Sequence, residues 1–165
     1  MQLRAQTAAD HAAIGGVIDA AFALAQHRGG NEARIVAALR ASGALTLSWV
    51  AEVEGEVVGH VAVSPVTISD STADWYGLGP VAVLPAFQRQ GIADALIRTV
   101  LAQLAARSAA GCVVLGDPAY YTRFGFAPHA PLFYPDVPPE YFMALPLTGP
   151  LPAGRVQYAD AFAVP

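Results

Sequence analysis

The chain contains no lysine; all nine of its basic residues are arginines. A phosphate loop of the P-loop kind needs a lysine to reach the outer phosphates, so that site is excluded. A single cysteine, Cys112, rules out an internal disulfide and a cysteine zinc cluster. Charge is sparse: 13% of residues are charged against 55% hydrophobic, which argues against a disordered chain. The net charge is −4 with no basic cluster, so duplex nucleic acid is not an expected partner. No uninterrupted apolar run approaches the roughly 18 residues of a membrane span. The opening MQLRAQTAADH lacks the apolar core of a signal peptide. Repeats, low-complexity linkers, metal-ligand clusters and a Ser-His-Asp order are missing too. The expectation is a soluble, cytoplasmic protein whose residues 1–165 form one domain with a substantial core.

What the chain does have is a stretch from Tyr76 to Arg107 that reads as strand, tight loop and long helix. The strand, Leu78 to Leu84, is interrupted by Gly79 and Pro80, and Pro80 cannot donate to a ladder, so a bulge or splay is expected there. Pro85 ends it. Gln88, Arg89, Gln90, Gly91, Ile92 and Ala93 follow, with almost no side chain at Gly91 and Ala93 where a helix begins. The first amides of a helix lack internal partners and carry the positive end of its dipole, so they suit an anion. A bare backbone lets phosphate oxygens approach those amides, as in a pyrophosphate cradle. The three-glycine dinucleotide fingerprint is excluded, because only Gly91 is available.

Upstream, residues 2–5 read as a strand. Thr7 and Asp10 form a capping box before a helix over about residues 8–25, with Ile14, Val17, Ile18, Ala21 and Phe22 on one face. Asn31 is placed as the cap of a second helix that buries Ile35, Val36 and Leu39 and ends at Gly43. Alternation from Leu45 to Val53 predicts a strand, Glu54-Gly55 a turn, and Val57 to Val63 its antiparallel partner. The long helix carries Ile92, Leu96, Val100 and Leu104 on one face and is expected to end at Gly111. Cys112 to Leu115 is a short apolar strand, parallel to the first across a right-handed crossover. A splay at Gly79-Pro80 opens a cleft between the two, at the carboxyl ends where ligands settle. Asp117-Pro118 starts a short helix that ends at Gly125. Residues 128–165 hold nine of the thirteen prolines, leaving strands near Tyr141–Leu147 and Arg155–Tyr158.

Gln88, Gly91 and Ala93, after Val81-Ala82-Val83 and Pro85, resemble the Gln/Arg-x-x-Gly-x-Gly/Ala acyl-CoA signature of the GNAT superfamily of N-acyltransferases. Tyr121-Thr122-Arg123-Phe124-Gly125-Phe126 is similar to that family's Tyr-x-x-x-Gly-Phe signature, in the right order. The resemblance covers roughly residues 1–147. The Gly-Asp-Pro-Ala-Tyr-Tyr segment looks like a small bacterial subgroup. It implies an α/β (α+β) fold: a mixed, mostly antiparallel twisted sheet with a splayed parallel central strand pair and flanking helices. One departure is Val114, where many relatives carry an asparagine that reaches the pantetheine arm.

The resemblance further implies direct acetyl transfer from acetyl-CoA, the co-substrate, to a primary amine of a small molecule or protein, without a metal. The partners would be the acyl-CoA and the amine acceptor, with no nucleic acid and no membrane, the chain acting as a monomer or homodimer. The pantetheine would bond along the backbone of Val81 and Val83, one amide also polarising the thioester carbonyl. Amides from Gln88 through Arg89, Gln90, Gly91 and Ile92 to Ala93 would hold the pyrophosphate, with Arg89 adding charge. Tyr121 would protonate the departing thiolate, and Tyr120 would pack. The base stays open among His60, Glu52 and Asp74, although His60 shares a face with Val58 and Ala62, as a packing histidine does. His27, Arg28 and Glu32 fall where relatives close over substrate, and also suit a solvated loop and helix cap. Cys112 reads as inert packing. A non-catalytic acyl-CoA sensor is the alternative function.

Overall fold

The computed structural model describes residues 1–23 and 30–164. Strand β1 (Gln2–Ala5) leads to helices α1 (His11–Phe22) and α2 (Glu32–Ser42). Strands β2 (Leu47–Val53), β3 (Glu56–Ile68) and β4 (Trp75–Val83) follow, then helix α3 (Ile92–Ala106) and strand β5 (Gly111–Leu115). The short helix α4 (Pro118–Tyr121) and strands β6 (Leu132–Phe133), β7 (Phe142–Pro146) and β8 (Gly154–Tyr158) complete the order. The main sheet runs β1-β2-β3-β4-β5-β7, with β8 against the end of β3 and β6 beside β8. Within the main sheet only β4 and β5 are parallel. This is the mixed, mostly antiparallel sheet expected.

Period-two alternation sends neighbouring residues to opposite faces, and each face has its own helices. Ala51, Val61 and Val83 pack with Ile92, Leu96, Val100 and Leu104 of α3. Their neighbours Val50, Ala62 and Ala82 pack with Ile14, Val17 and Ile18 of α1 and Val36 of α2. Leu96, Val100 and Leu104 are wholly buried, each such side chain contributing about 1.5–3 kcal/mol relative to exposure.

Parallel pairing is brief. Trp75, Tyr76 and Gly77 pair with Gly111, Cys112 and Val113, and the ladder stops there. From Leu78 onward β4 keeps only its β3 partner among the described residues, with Val81, Ala82 and Val83 opposite Val61, His60 and Gly59. The splay therefore opens just before Gly79-Pro80.

Several local expectations are corrected. The Thr7 amide donates to the Asp10 carboxylate at 2.7 Å, but residues 8–10 form a 3-10 turn and the α-helix starts only at His11. Arg4 donates to both oxygens of Asp10 at 2.7 and 3.0 Å, which holds that carboxyl well below the usual range. The last two residues of the expected 8–25 helix lie outside the described residues. Asn31 precedes α2 without capping it; its amide donates to the Val164 carbonyl at 3.1 Å, tying the helix start to the C-terminal segment. Strand β4 begins three residues early, at Trp75, and ends at Val83. Gly111 does not end α3, which stops at Ala106 with Ser108 at φ 61°. Gly111 instead opens β5, where a Cβ would overlap the Trp75 ring.

Candidate functional site

Where β4 ends, the chain makes a 3-10 turn over Pro85–Phe87 and then a loop into α3. Arg89 and Gly91 both take left-handed backbone, at φ 63° and 83°. The first helical bond runs from the Ala95 amide to the Gly91 carbonyl at 3.0 Å. The amides of Ile92, Ala93 and Asp94 therefore have no partner inside the helix. A Cβ built on Gly91 meets nothing within 4 Å, so the glycine faces open space.

That space is a cavity of about 530 Å³. Val81 and Val83 wall it from β4; Gln88, Arg89, Gly91, Ile92 and Ala93 wall it from the loop and helix start. Seven of the eight proposed co-substrate residues thus converge. Gln90 does not line it; its side-chain amide lies 3.4 Å from the Ala86 carbonyl. Gln88 turns its amide to the Val83 carbonyl at 3.0 Å, so its side chain braces the loop. Phe87, Asp94, Tyr120 and Arg123 complete the wall. Arg123 lies over the Tyr120 ring at 4.4 Å and donates to the Tyr120 carbonyl at 2.9 Å. Asp94 also borders the cavity, an awkward neighbour for an anion, but its carboxylate is paired with Arg98 at 2.7 Å. Burial, then the nearby Asp94 charge, pushes the Tyr120 hydroxyl up from its ordinary pKa.

The edge of β4 is turned the right way to add a strand. The Leu84 amide donates to the Val58 carbonyl at 2.8 Å. In an antiparallel ladder bonded residues alternate, so Ala82 also bonds β3 while Val81 and Val83 turn their amides to the opposite, unpaired edge. Val114 is 1% exposed within the core under α3. Its side chain offers no polar contact, and the β4 backbone is left as the polar surface of the cleft.

A second cavity, of about 330 Å³, opens at the splay and also reaches Val81. Tyr121 lines this one rather than the first. Gly116 makes its placement possible, since a Cβ there would come 2.8 Å from Tyr121 Cδ2. Tyr121 packs edge-on against Tyr120 and Phe126, at 5.1 and 6.1 Å between centroids. The far wall comes from residues late in the chain. Tyr158 and Phe162 lie 5.1 Å apart, and Tyr134 meets Tyr158 at 5.2 Å. Gly77 admits Tyr158, because a Cβ at residue 77 would stand 2.6 Å from its Cε1. Gly77 and Gly111 both lie inside strands, where an isolated glycine marks a close approach, but sequence pattern alone begins the first strand at Leu78 and takes Gly111 for a helix stop.

None of the three candidate bases lines either cavity. Glu52 pairs with Arg4 at 3.3 Å, and Asp74 precedes β4 at the end away from the cradle. His60 is wholly buried on the α1–α2 face, its Nε2 2.8 Å from Ser48 Oγ. Ser48 donates onward to Gln6 Oε1 at 2.7 Å, which Arg40 also reaches. The hydroxyl has one proton, so it accepts from His60 Nε2–H, and Nδ1 is unprotonated and buried without a partner among the described residues. Burial, then the Arg40 charge, pushes the His60 pKa down to about 3. His60 is a packing histidine. Cys112 is buried, and burial pushes its thiol far up. Of the three residues expected near substrate, Glu32 lines the second cavity, and His27 and Arg28 lie outside the described residues. Among the described residues no helix could cross a membrane and no cluster could hold a metal.

A splayed parallel pair with an anion-suited helix start at its mouth is the architecture of the GNAT acetyltransferases, and the chain belongs to that family: the family model described as Acetyltransferase (GNAT) domain matches residues 45–128. A GNAT family acetyltransferase from Brucella melitensis, solved in complex with acetyl-CoA, is 46% identical with a TM-score of 0.88, covering 98% of this chain and 97% of that one. YhbS from Escherichia coli, a GNAT family N-acetyltransferase solved in complex with CoA, has a TM-score of 0.85 at 32% identity, covering 99% and 92%. Over 96 residues the chain is 45% identical to the Escherichia coli (strain K12) protein named Uncharacterized N-acetyltransferase YhbS, a match spanning 58% of each. The curated sequence match thus covers little more than half the length of that relative.

Proposed function

We propose that residues 1–165 work as one acyltransferase domain that moves an acetyl group from acetyl-CoA directly to a primary amine. The observation that carries this is the meeting of two cavities at Val81, beside the unpaired edge of β4. The larger suits the co-substrate. Amides at Gly91, Ile92 and Ala93 bond the pyrophosphate, each charge-assisted bond contributing roughly 1.5–3 kcal/mol, and Arg89 and Arg123 balance its charge. The Val81 and Val83 amides bond the pantetheine arm as an added strand, which aims the thioester at the splay. One of them polarises the thioester carbonyl.

The acceptor enters from the smaller cavity as an ammonium and gives up one proton before attack. Its nitrogen lone pair then forms the N–C bond to the acetyl carbonyl carbon as the C–S bond breaks. Tyr121, on the wall of that cavity, hands its hydroxyl proton to the departing sulfur and recovers one from the nitrogen. The products are an acetamide and CoA thiol, with one proton released. Thiol release from acetyl-CoA across a panel of primary amines tests the reading. Amine-dependent release is expected. Saturable acetyl-CoA binding without release for any amine would make the chain a sensor.

A further inference from the structure

The smaller cavity has a composition that selects its occupant. Aromatic rings from Phe22, Tyr121, Tyr134, Tyr158 and Phe162 line it, and Glu32 is the one charged residue of its wall among the described residues. No arginine is among its described lining residues. Glu32 is the first residue of α2, where a carboxylate favours the helix dipole. Yet no hydrogen bond or ion pair engages its side chain among the described residues. The negative charge borders a ring-lined space.

We infer that the acceptor is a primary monoamine on a compact apolar or aromatic body without a carboxylate, its ammonium received by Glu32. Three features of the wall require this. A cation beside ring faces is attracted by their quadrupoles as well as by the carboxylate. A carboxylate on the acceptor would meet one anion and no cation among the described residues of the wall, and burying an unpaired charge is strongly unfavourable. A second ammonium far from the first would meet no second carboxylate among the described residues of the wall. The volume, about 330 Å³, is near the lower end for small-molecule pockets, roughly 300–1,000 Å³, which fits a single ring and short tether. Glu32 also accepts the proton the ammonium must lose before attack, and passes it to solvent.

This inference rests on the acetyltransferase reading, so the experiment separates the two. Three amines are compared by thiol release: 2-phenylethylamine, phenylalanine, which adds a carboxylate to the same body, and 1,6-diaminohexane, which adds a second ammonium. Calorimetric binding of each to the CoA-loaded protein is measured in parallel, with the wild-type chain and Glu32→Gln. Phenylethylamine should bind and turn over, with both other amines at least roughly 30-fold poorer, the scale of one buried unpaired charge. Glu32→Gln should lower kcat/KM for phenylethylamine by a similar factor, weaken its binding, and leave CoA affinity unchanged. Glu32-dependent binding without thiol release would uphold the pocket and refute acetyl transfer. Turnover of phenylalanine or diaminohexane at the phenylethylamine rate, or a Glu32→Gln protein with unchanged kcat/KM, would overturn the inference and leave acetyl transfer standing.

Discussion

Replacing His60 with glutamine should remove about 2 kcal/mol of acid sensitivity from the folded state. In the fold, Nε2–H bonds Ser48 and the second proton would have to sit on Nδ1, which is buried without a partner among the described residues. Burial and the Arg40 guanidinium lower the folded pKa from 6.5 to about 3. A histidine whose folded pKa is depressed stabilises the fold fully above the unfolded pKa, and that stability is lost as pH falls from 6.5 toward 3. Each pH unit inside that window removes up to about 1.4 kcal/mol. Between pH 7 and pH 5 the integrated loss is about 2 kcal/mol, set against a typical total of about 5–15 kcal/mol. The assay is urea unfolding at both values, followed by fluorescence of Trp49 and Trp75, in wild type and His60→Gln. Glutamine can still donate to Ser48, and any fixed cost of the substitution cancels in the comparison across pH. Wild type should lose about 2 kcal/mol more than the variant. Parallel losses, or an imidazole that titrates near 6.5 by NMR in the native state, would refute the reasoning. Turnover should survive in His60→Gln, because the ring reaches neither cavity.

Three other substitutions address the site and its frame. Gly91→Glu puts a carboxylate and a Cβ strained at φ 83° into the open space of the cradle; CoA should no longer raise the melting temperature while the domain stays folded, and normal CoA affinity would sink the cradle assignment. Tyr121→Phe keeps the ring packing and removes the proton donor, so kcat should fall roughly 10²-fold with the CoA dissociation constant unchanged; intact turnover with Tyr120→Phe damaging instead would move the role to Tyr120. Gly111→Ala drives a methyl into the Trp75 ring and should cost about 1–3 kcal/mol in urea unfolding, as overpacking does; an unchanged midpoint would show that the ring moves aside freely.

Local chemistry made much of this protein readable in the chain itself. The strand, loop and helix around Gly91 were legible because β-branched alternation, a proline stop and a bare helix start act over neighbouring residues. The core faces of α1, α2 and α3 followed from helical spacing for the same reason. The splay was legible too, because Pro80 has no amide to give a ladder on any fold. Where a residue's role depends on partners far along the chain, the sequence was silent or misleading. Gly111 looked like a helix stop and is a strand glycine made necessary by Trp75, thirty-six residues earlier. Asn31 looked like a cap and instead holds Val164. His60 could have been a base or packing, and only its enclosure between β2, β4 and the α1–α2 layer decided for packing. The division of the two tyrosines between two cavities, and the return of Tyr158 and Phe162 to wall the smaller one, depend on where β8 lands against β3. That landing is a long-range sheet contact, which burial and register across the assembled fold select and no local pattern encodes.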